Sequence, residues 1–208
     1  MSELGKLIVF EGPDGAGKTT LASLLVKTLQ ADGVDCEYHS FPGRSQGTLG
    51  QLVYDVHHEP ERFGVESISP ASVQVLHIAA HLEAIERRIL PALASGRWIV
   101  LDRFWWSTWV YGLIYGVQRN SLEAMINLEL IHWQGVVPTI AFLIMAETPM
   151  RDSITSSEWN DLCRIYHELI EKERNRHDIQ IIRNNAPLDD IVAQLHHAVT
   201  RRSNGPFE

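Results

Sequence analysis

Apolar residues recur along this chain with two alternating periods. Short continuous runs, Leu7–Phe10, Trp98–Leu101 and Thr139–Met145, read as strands buried on both faces. Cys36–Phe41 and Ile179–Ile182 extend the set to about five. Between the runs, apolar positions fall at helical spacing. Thr19–Gln30 is expected to be helical on Leu21, Leu24, Leu25 and Leu29, and Leu49–His57 a short helix. Pro70–Ser95 is the longest helical pattern, with Val75, Ile78, Leu82, Ile85 and Ile89 on one stripe and Pro91 expected to kink or end it. Phe104–Gly112, Ser121–Trp133, Glu158–Lys172 and Leu188–Thr200 are further expected helices, and the final RRSNGPFE is expected to fray. Strands alternating with helices predict a three-layer α/β/α sandwich around a central parallel sheet of about five strands, in one domain over residues 1–208. Ligands in such sheets lie outside the carboxyl ends of the strands.

The break between the first strand and helix carries chemistry. Gly12 to Thr19, in FEGPDGAGKTT, fits G-x-x-x-x-G-K-[ST] with a strand before it and a helix after it. Its glycines let backbone N–H groups turn inward, and the helix start adds unpaired donors and partial positive charge. Gly12, Asp14, Gly15, Ala16, Gly17, Lys18, Thr19 and Thr20 are therefore the candidate triphosphate site. Lys18 can reach the β- and γ-phosphates of ATP, and the Thr19 hydroxyl can ligate Mg²⁺. A glycine-rich turn that binds nothing is the bland alternative.

Composition narrows the partners. The 208 residues carry a formal net charge of −8, which argues against a nucleic-acid polymer or an anionic membrane as the main partner; the phosphate loop points to small-molecule nucleotides instead. No apolar run approaches the roughly 20 residues needed to span a bilayer. MSELGKLIVF does not read as a signal peptide, and two cysteines, Cys36 and Cys163, give no disulfide framework, so a cytoplasmic protein is expected.

Four stretches give a resemblance. FEGPDGAGKTT, FPGR with Thr48-Leu49-Gly50 after it, LDRF with Ser107 and Tyr111 after it, and PTIAFLI with ETPMR after it span most of the chain. In that order they are similar to the thymidylate kinase family of nucleoside monophosphate kinases. The resemblance implies a P-loop kinase fold, a homodimer, and transfer of the γ-phosphate of ATP to dTMP. Arg44 and Arg103 match arginines holding the acceptor monophosphate, Asp102 a carboxylate orienting Mg²⁺ water and acceptor, and Asp14 an acidic residue facing the acceptor sugar. Phe41, Ser107 and Tyr111 match positions around the nucleoside. In bland terms Arg44 is a loop charge, Asp102 and Arg103 an ion pair, and Phe41 and Tyr111 core.

Two departures stand out. Where the family carries an aromatic residue and, one turn later, an arginine, this chain has His77 and His81; Gly112 replaces the polar residue after the tyrosine, and Trp105, Trp106 and Trp109 add bulk. A changed base pocket, thymine bound beside filler histidines, and a paired-histidine metal site lacking a third ligand are the alternatives. The lid, residues 147–160, is short, and Arg151 is its one arginine, expected to supply charge that neutral Gly15 and Ala16 cannot. Asn184–Pro187 occupies the usual adenine-contact position, and His57 and His58 are expected on a loop or surface. Besides dTMP kinase, the sequence admits a kinase for another or modified monophosphate or a nucleoside, and a nucleotide-binding module with little catalysis.

Overall fold

The computed structural model describes residues 4–150 and 154–201. In chain order the elements are β1 (Leu7–Glu11), α1 (Lys18–Ala31), β2 (Cys36–Ser40), α2 (Leu49–His58), α3 (Pro70–Ala84), α4 (Leu90–Ala94), β3 (Trp98–Asp102), α5 (Trp105–Ile114), α6 (Arg119–His132), β4 (Ile140–Met145), α7 (Ser156–Glu173), β5 (Ile179–Arg183) and α8 (Leu188–Arg201). A 3₁₀ turn, Pro60–Phe63, lies inside what the sequence reads as loop. The strands form one parallel sheet in the order β2-β3-β1-β4-β5.

The period of two along each strand divides the core. Leu7, Val9, Ile99, Leu101, Ala141 and Leu143 face α5, α6 and α7, together with the end of the α3–α4 rod. Ile8, Phe10, Val100, Ile140, Phe142 and Ile144 face α1 and α8. Strands buried on both faces need apolar residues at every position, which is the run seen in the sequence. Trp105 and Trp106 belong to the first of these cores, at 6% and 0% exposure, and do not line the site.

Several boundaries are set by caps. Thr48 accepts from Gln51 N at 3.1 Å to start α2, and Ser69 accepts from Ser72 N at 3.2 Å to start α3. Thr155 accepts from Glu158 N, so α7 begins before the Glu158 expected from sequence. Pro91 does not end the long rod. A π turn, Ile85–Ile89, precedes it and widens the helix where the proline ring and missing N–H require room. The expected stripe holds at Ile78, Ile85 and Ile89, whereas Val75 is 51% exposed.

Register brings the strand ends level. Asp102 pairs with both Phe10 and Ser40. The chain leaves the sheet with Phe41 N bonded to Asp102 O at 3.0 Å and Arg103 N bonded to Phe10 O at 2.8 Å. The Phe41–Pro42 peptide is cis. The following turn is covered by α2, whose Leu49 N donates to Glu83 of α3 at 3.0 Å and whose Gly50 rests on the Pro42 carbonyl. A Cβ at Gly50 would lie 1.8 Å from that oxygen. Gly50→Ala should therefore cost about 1–3 kcal/mol by overpacking and lower the melting temperature by several degrees in a thermal melt.

Candidate functional site

The loop between β1 and α1 is built by backbone geometry. Gly17 caps α1 at φ 94°, a conformation that favours glycine, and Asn184 Nδ2 lies 2.3 Å from where its Cβ would be. Asn184 Nδ2 donates to the Ala16 carbonyl at 2.8 Å. The opposite edge of a trans peptide carries the N–H, so this bond turns the Gly17 N–H away from Asn184. The 184–187 stretch thus meets the loop through Asn184.

Lys18 is 5% exposed; its Nζ donates to Pro13 O at 2.8 Å and lies 3.7 Å from Asp14 Oδ1. Burial, then the Arg103 charge, push its pKa down to about 8, against the pull of Asp14, Asp102 and Glu11. Arg103 Nη2 pairs with Asp14 Oδ1. Burial works against the Arg103 charge, but Asp14, then Tyr111, Tyr166 and Asp102, hold its pKa well above the usual range. Arg103 sits at φ 77°, a strained conformation for a non-glycine residue, and turns the chain from β3 into α5.

Asp102 ends β3 opposite the first turn of α1. Thr19 Oγ1 donates to its Oδ2 at 2.5 Å and Tyr38 OH donates to the same oxygen at 3.0 Å. Oδ1 is buried without a hydrogen-bond partner among the described residues. An unpartnered carboxylate oxygen beside a hydroxyl is an oxygen donor set that fits Mg²⁺, which takes few protein ligands and fills the rest with water and phosphate. Among the described residues there is no cluster of three or more metal-ligating side chains.

These groups open into a cavity of about 1080 Å³ that runs from Thr20 past Phe41, Arg44 and Arg103 to α3. Arg44 is exposed, stacks its guanidinium 3.9 Å over Tyr54, and has no carboxylate partner among the described residues. Phe41, 3% exposed, belongs to the core and also lines the cavity, stacked on His81 at 4.1 Å with an interplanar angle of 13°. Tyr111 lies beneath Arg103, 5.5 Å from it, and its OH accepts from Asp14 N at 2.8 Å. Burial raises its pKa, so it is a neutral phenol. Ser107 also lines the cavity, but its hydroxyl is engaged: it donates to Glu11 Oε2 at 2.8 Å and accepts from Arg103 Nη1 at 3.1 Å.

The structure corrects the far wall. His57 and His58 are exposed, as expected, but they end α2 rather than sit on a loop, and they line the cavity, with His57 Nδ1 3.2 Å from His77 Nε2. His81 Nδ1–H donates to buried Glu129 Oε2 at 2.8 Å, and Trp133 Nε1–H donates to Oε1 of the same carboxylate at 3.1 Å. Gly112 packs against Leu122 rather than the cavity, and Thr108, one turn earlier, faces it instead. Sequence reasoning passed over Glu11, Gln74, Thr108 and Tyr38. The helical spacing from His77 and His81 would have found Gln74, and a carboxylate directly after four apolar strand residues would have found Glu11. Arg151 lies outside the described residues; its neighbour Met150 N donates to Gly15 O at 3.0 Å, which brings the start of the lid onto the loop.

A family model described as thymidylate kinase matches residues 10–151. A thymidylate kinase of Legionella pneumophila (strain Corby) is 29% identical over 211 residues, covering 96% of this chain and 96% of that protein. One from Chlamydia trachomatis serovar L2 is 33% identical over 205 residues, covering 90% of this chain and 97% of that protein. Among solved structures, a thymidylate kinase from Ehrlichia chaffeensis matches with a TM-score of 0.72 at 21% identity, over 94% of this chain and 98% of that chain. A likeness at that identity bears on the fold alone.

The lowered Lys18 pKa has a sign. Below about 8 the ammonium is present in the free chain, and it is lost as pH rises through that value. Calorimetric Kd values for ATP should therefore be flat below the Lys18 pKa and weaken by about tenfold per pH unit above it, over a series from roughly pH 6.5 to 9.5. A flat profile throughout would contradict it.

Proposed function

The chain belongs to the thymidylate kinase family, and we propose that it moves the γ-phosphoryl group of ATP to the phosphate of dTMP, giving dTDP and ADP. One observation carries this reading: a triphosphate loop and Arg44, an arginine without a carboxylate partner among the described residues, face one cavity at the same edge of the sheet. A nucleoside acceptor would give Arg44 no anion to bind, which favours an acceptor that already carries phosphate.

The chemistry is positioning plus charge neutralisation. An acceptor-phosphate oxygen attacks the γ-phosphorus while the bridging oxygen departs on ADP, and negative charge spreads over the transferring group. Lys18 exchanges the Pro13 carbonyl for phosphate oxygens. Arg103 exchanges Asp14 for the acceptor phosphate, and Asp14 is released toward the acceptor sugar. Gly12, Gly15, Ala16, Gly17 and Thr20 supply backbone and hydroxyl contacts to the donor. Thr19 and Asp102 would hold Mg²⁺, which when bound neutralises charge on the donor phosphates. Arg151 is the lid cation in this reading. Phe41, His77, His81, Ser107 and Tyr111 surround the nucleoside.

We also read the chain as a cytoplasmic homodimer. Ile131 and Leu128 on α6 and Val75 on α3 are 70%, 44% and 51% exposed, apolar surface that a second copy would cover. Light scattering after gel filtration should return twice the 23.6 kDa chain mass, and the single-chain mass would contradict the dimer.

The reaction is tested by chromatography of products from dTMP and Mg·ATP. Equal dTDP and ADP are expected, and folded protein that turns over no monophosphate would sink the proposal. Lys18→Ala should lower kcat by about a hundredfold or more. Arg44→Ala should raise KM for dTMP about tenfold with a smaller effect on KM for ATP, since one charge-assisted contact is lost on the acceptor side alone.

A further inference from the structure

The wall formed by α3 presents Gln74, His77 and His81 to the cavity, spaced by three and then four residues and so on one helical face. At 1.5 Å per residue the row is about 10 Å long, which is more wall than two residues one turn apart provide. Both histidines have a ring nitrogen already committed, His81 to Glu129 and His77 to His57. His77 is also held neutral, pushed down to about 3 by burial first and then by His81, His57 and Arg103. Gln74 differs from both. It is 4% exposed, and its Oε1 is buried with no hydrogen-bond partner among the described residues. Apolar Ile68, Pro70 and Val73 line the cavity with it. A buried acceptor left unpaired is costly, so a ligand that brings a donor there gains from a pre-formed acceptor.

We infer that Gln74 reads the hydrogen-bonding edge of the acceptor base, accepting from the ring N3–H of a thymine or uracil through Oε1. The inference rests on the proposed function, which makes this cavity the acceptor-nucleotide site. With the phosphate at Arg44 and Arg103, the base extends toward α3, and the stacked Phe41–His81 pair supplies a flat face beside it. A carboxamide carries an acceptor and a donor side by side. An imide edge carries N3–H next to a carbonyl, so Oε1 takes the N3 proton while the Gln74 amide N–H donates to that carbonyl. Cytosine presents the reverse pattern, an unprotonated N3 next to an amino group, and meets the oxygen-first amide with acceptor against acceptor.

The test uses two substrates and two variants. N3-methyl-dTMP keeps the ring, both carbonyls and the phosphate but has no N3 proton. The wild-type chain should show kcat/KM for dTMP about tenfold or more above that for N3-methyl-dTMP. In Gln74→Leu, similar in size and without polar atoms, kcat/KM for dTMP should fall about tenfold through KM, and the ratio between the two substrates should shrink to about threefold or less. Gln74→Glu retains an acceptor, so its overall kcat/KM should fall while the ratio stays near the wild-type value. Unchanged melting temperature and ATP Kd identify folded variants. If the wild type turns over dTMP and Gln74→Leu keeps the full ratio, the inference fails and the kinase reading stands. If the wild type turns over no monophosphate, the kinase reading fails and the inference falls with it.

Discussion

The buried carboxylate of Glu11 is the constraint on which the site depends. It has no exposed surface, and it accepts from Gly12 N at 3.2 Å, Phe104 N at 2.7 Å, Ser107 N at 2.9 Å, Ser107 Oγ at 2.8 Å and Tyr166 OH at 3.0 Å. These donors come from the phosphate loop, the start of α5 and α7. Two are backbone N–H groups at a helix N-terminus, where a negative charge is favoured. Burial raises the Glu11 pKa, and Arg103, the Phe104 amide, Ser107 and Lys18 pull the other way. One side chain thus locks the end of β1 to the turn after β3. Arg103 lies in that turn, directly after Asp102 at the end of β3, and its left-handed backbone is held by the bonds on either side of it.

From that anchor the site runs as alternating charge. Asp102, Lys18, Asp14 and Arg103 neutralise one another, with Lys18 resting on a carbonyl and Arg103 on a carboxylate. In the proposed reaction, binding is therefore an exchange of partners. Arg44 is the exception: it stands on an aromatic ring, exposed and without an acidic partner among the described residues. A cation so placed on a chain of net charge −8 is a local attractor for an anion rather than part of a basic surface.

The sequence carried the five strands and the loop, though not the order in which the strands lie. A continuous apolar run has one stable use in a protein of this composition, and G-x-x-x-x-G-K-T between strand and helix has one backbone solution. Caps refined the ends: Thr155 moved α7 earlier, and the π turn let the rod pass Pro91. The base wall was less legible because its partners are distant in the chain. Glu129 and Trp133 fix His81 from α6, and His57 reaches His77 from α2, contacts that no local spacing encodes. Gly112 looked like a lost polar contact and is a packing position against Leu122, while Thr108 and Gln74 supply the polar atoms. Arg151, expected from the sequence as the lid cation, lies outside the described residues.

The central claim is that donor and acceptor sites form one cavity across which a phosphoryl group passes in line. A bisubstrate ligand, adenosine and thymidine joined through a chain of five phosphates, tests it in one measurement of inhibition kinetics. The account predicts inhibition competitive against both ATP and dTMP, with one ligand bound per chain. Competition against ATP alone, with dTMP still able to bind beside the ligand, would contradict it.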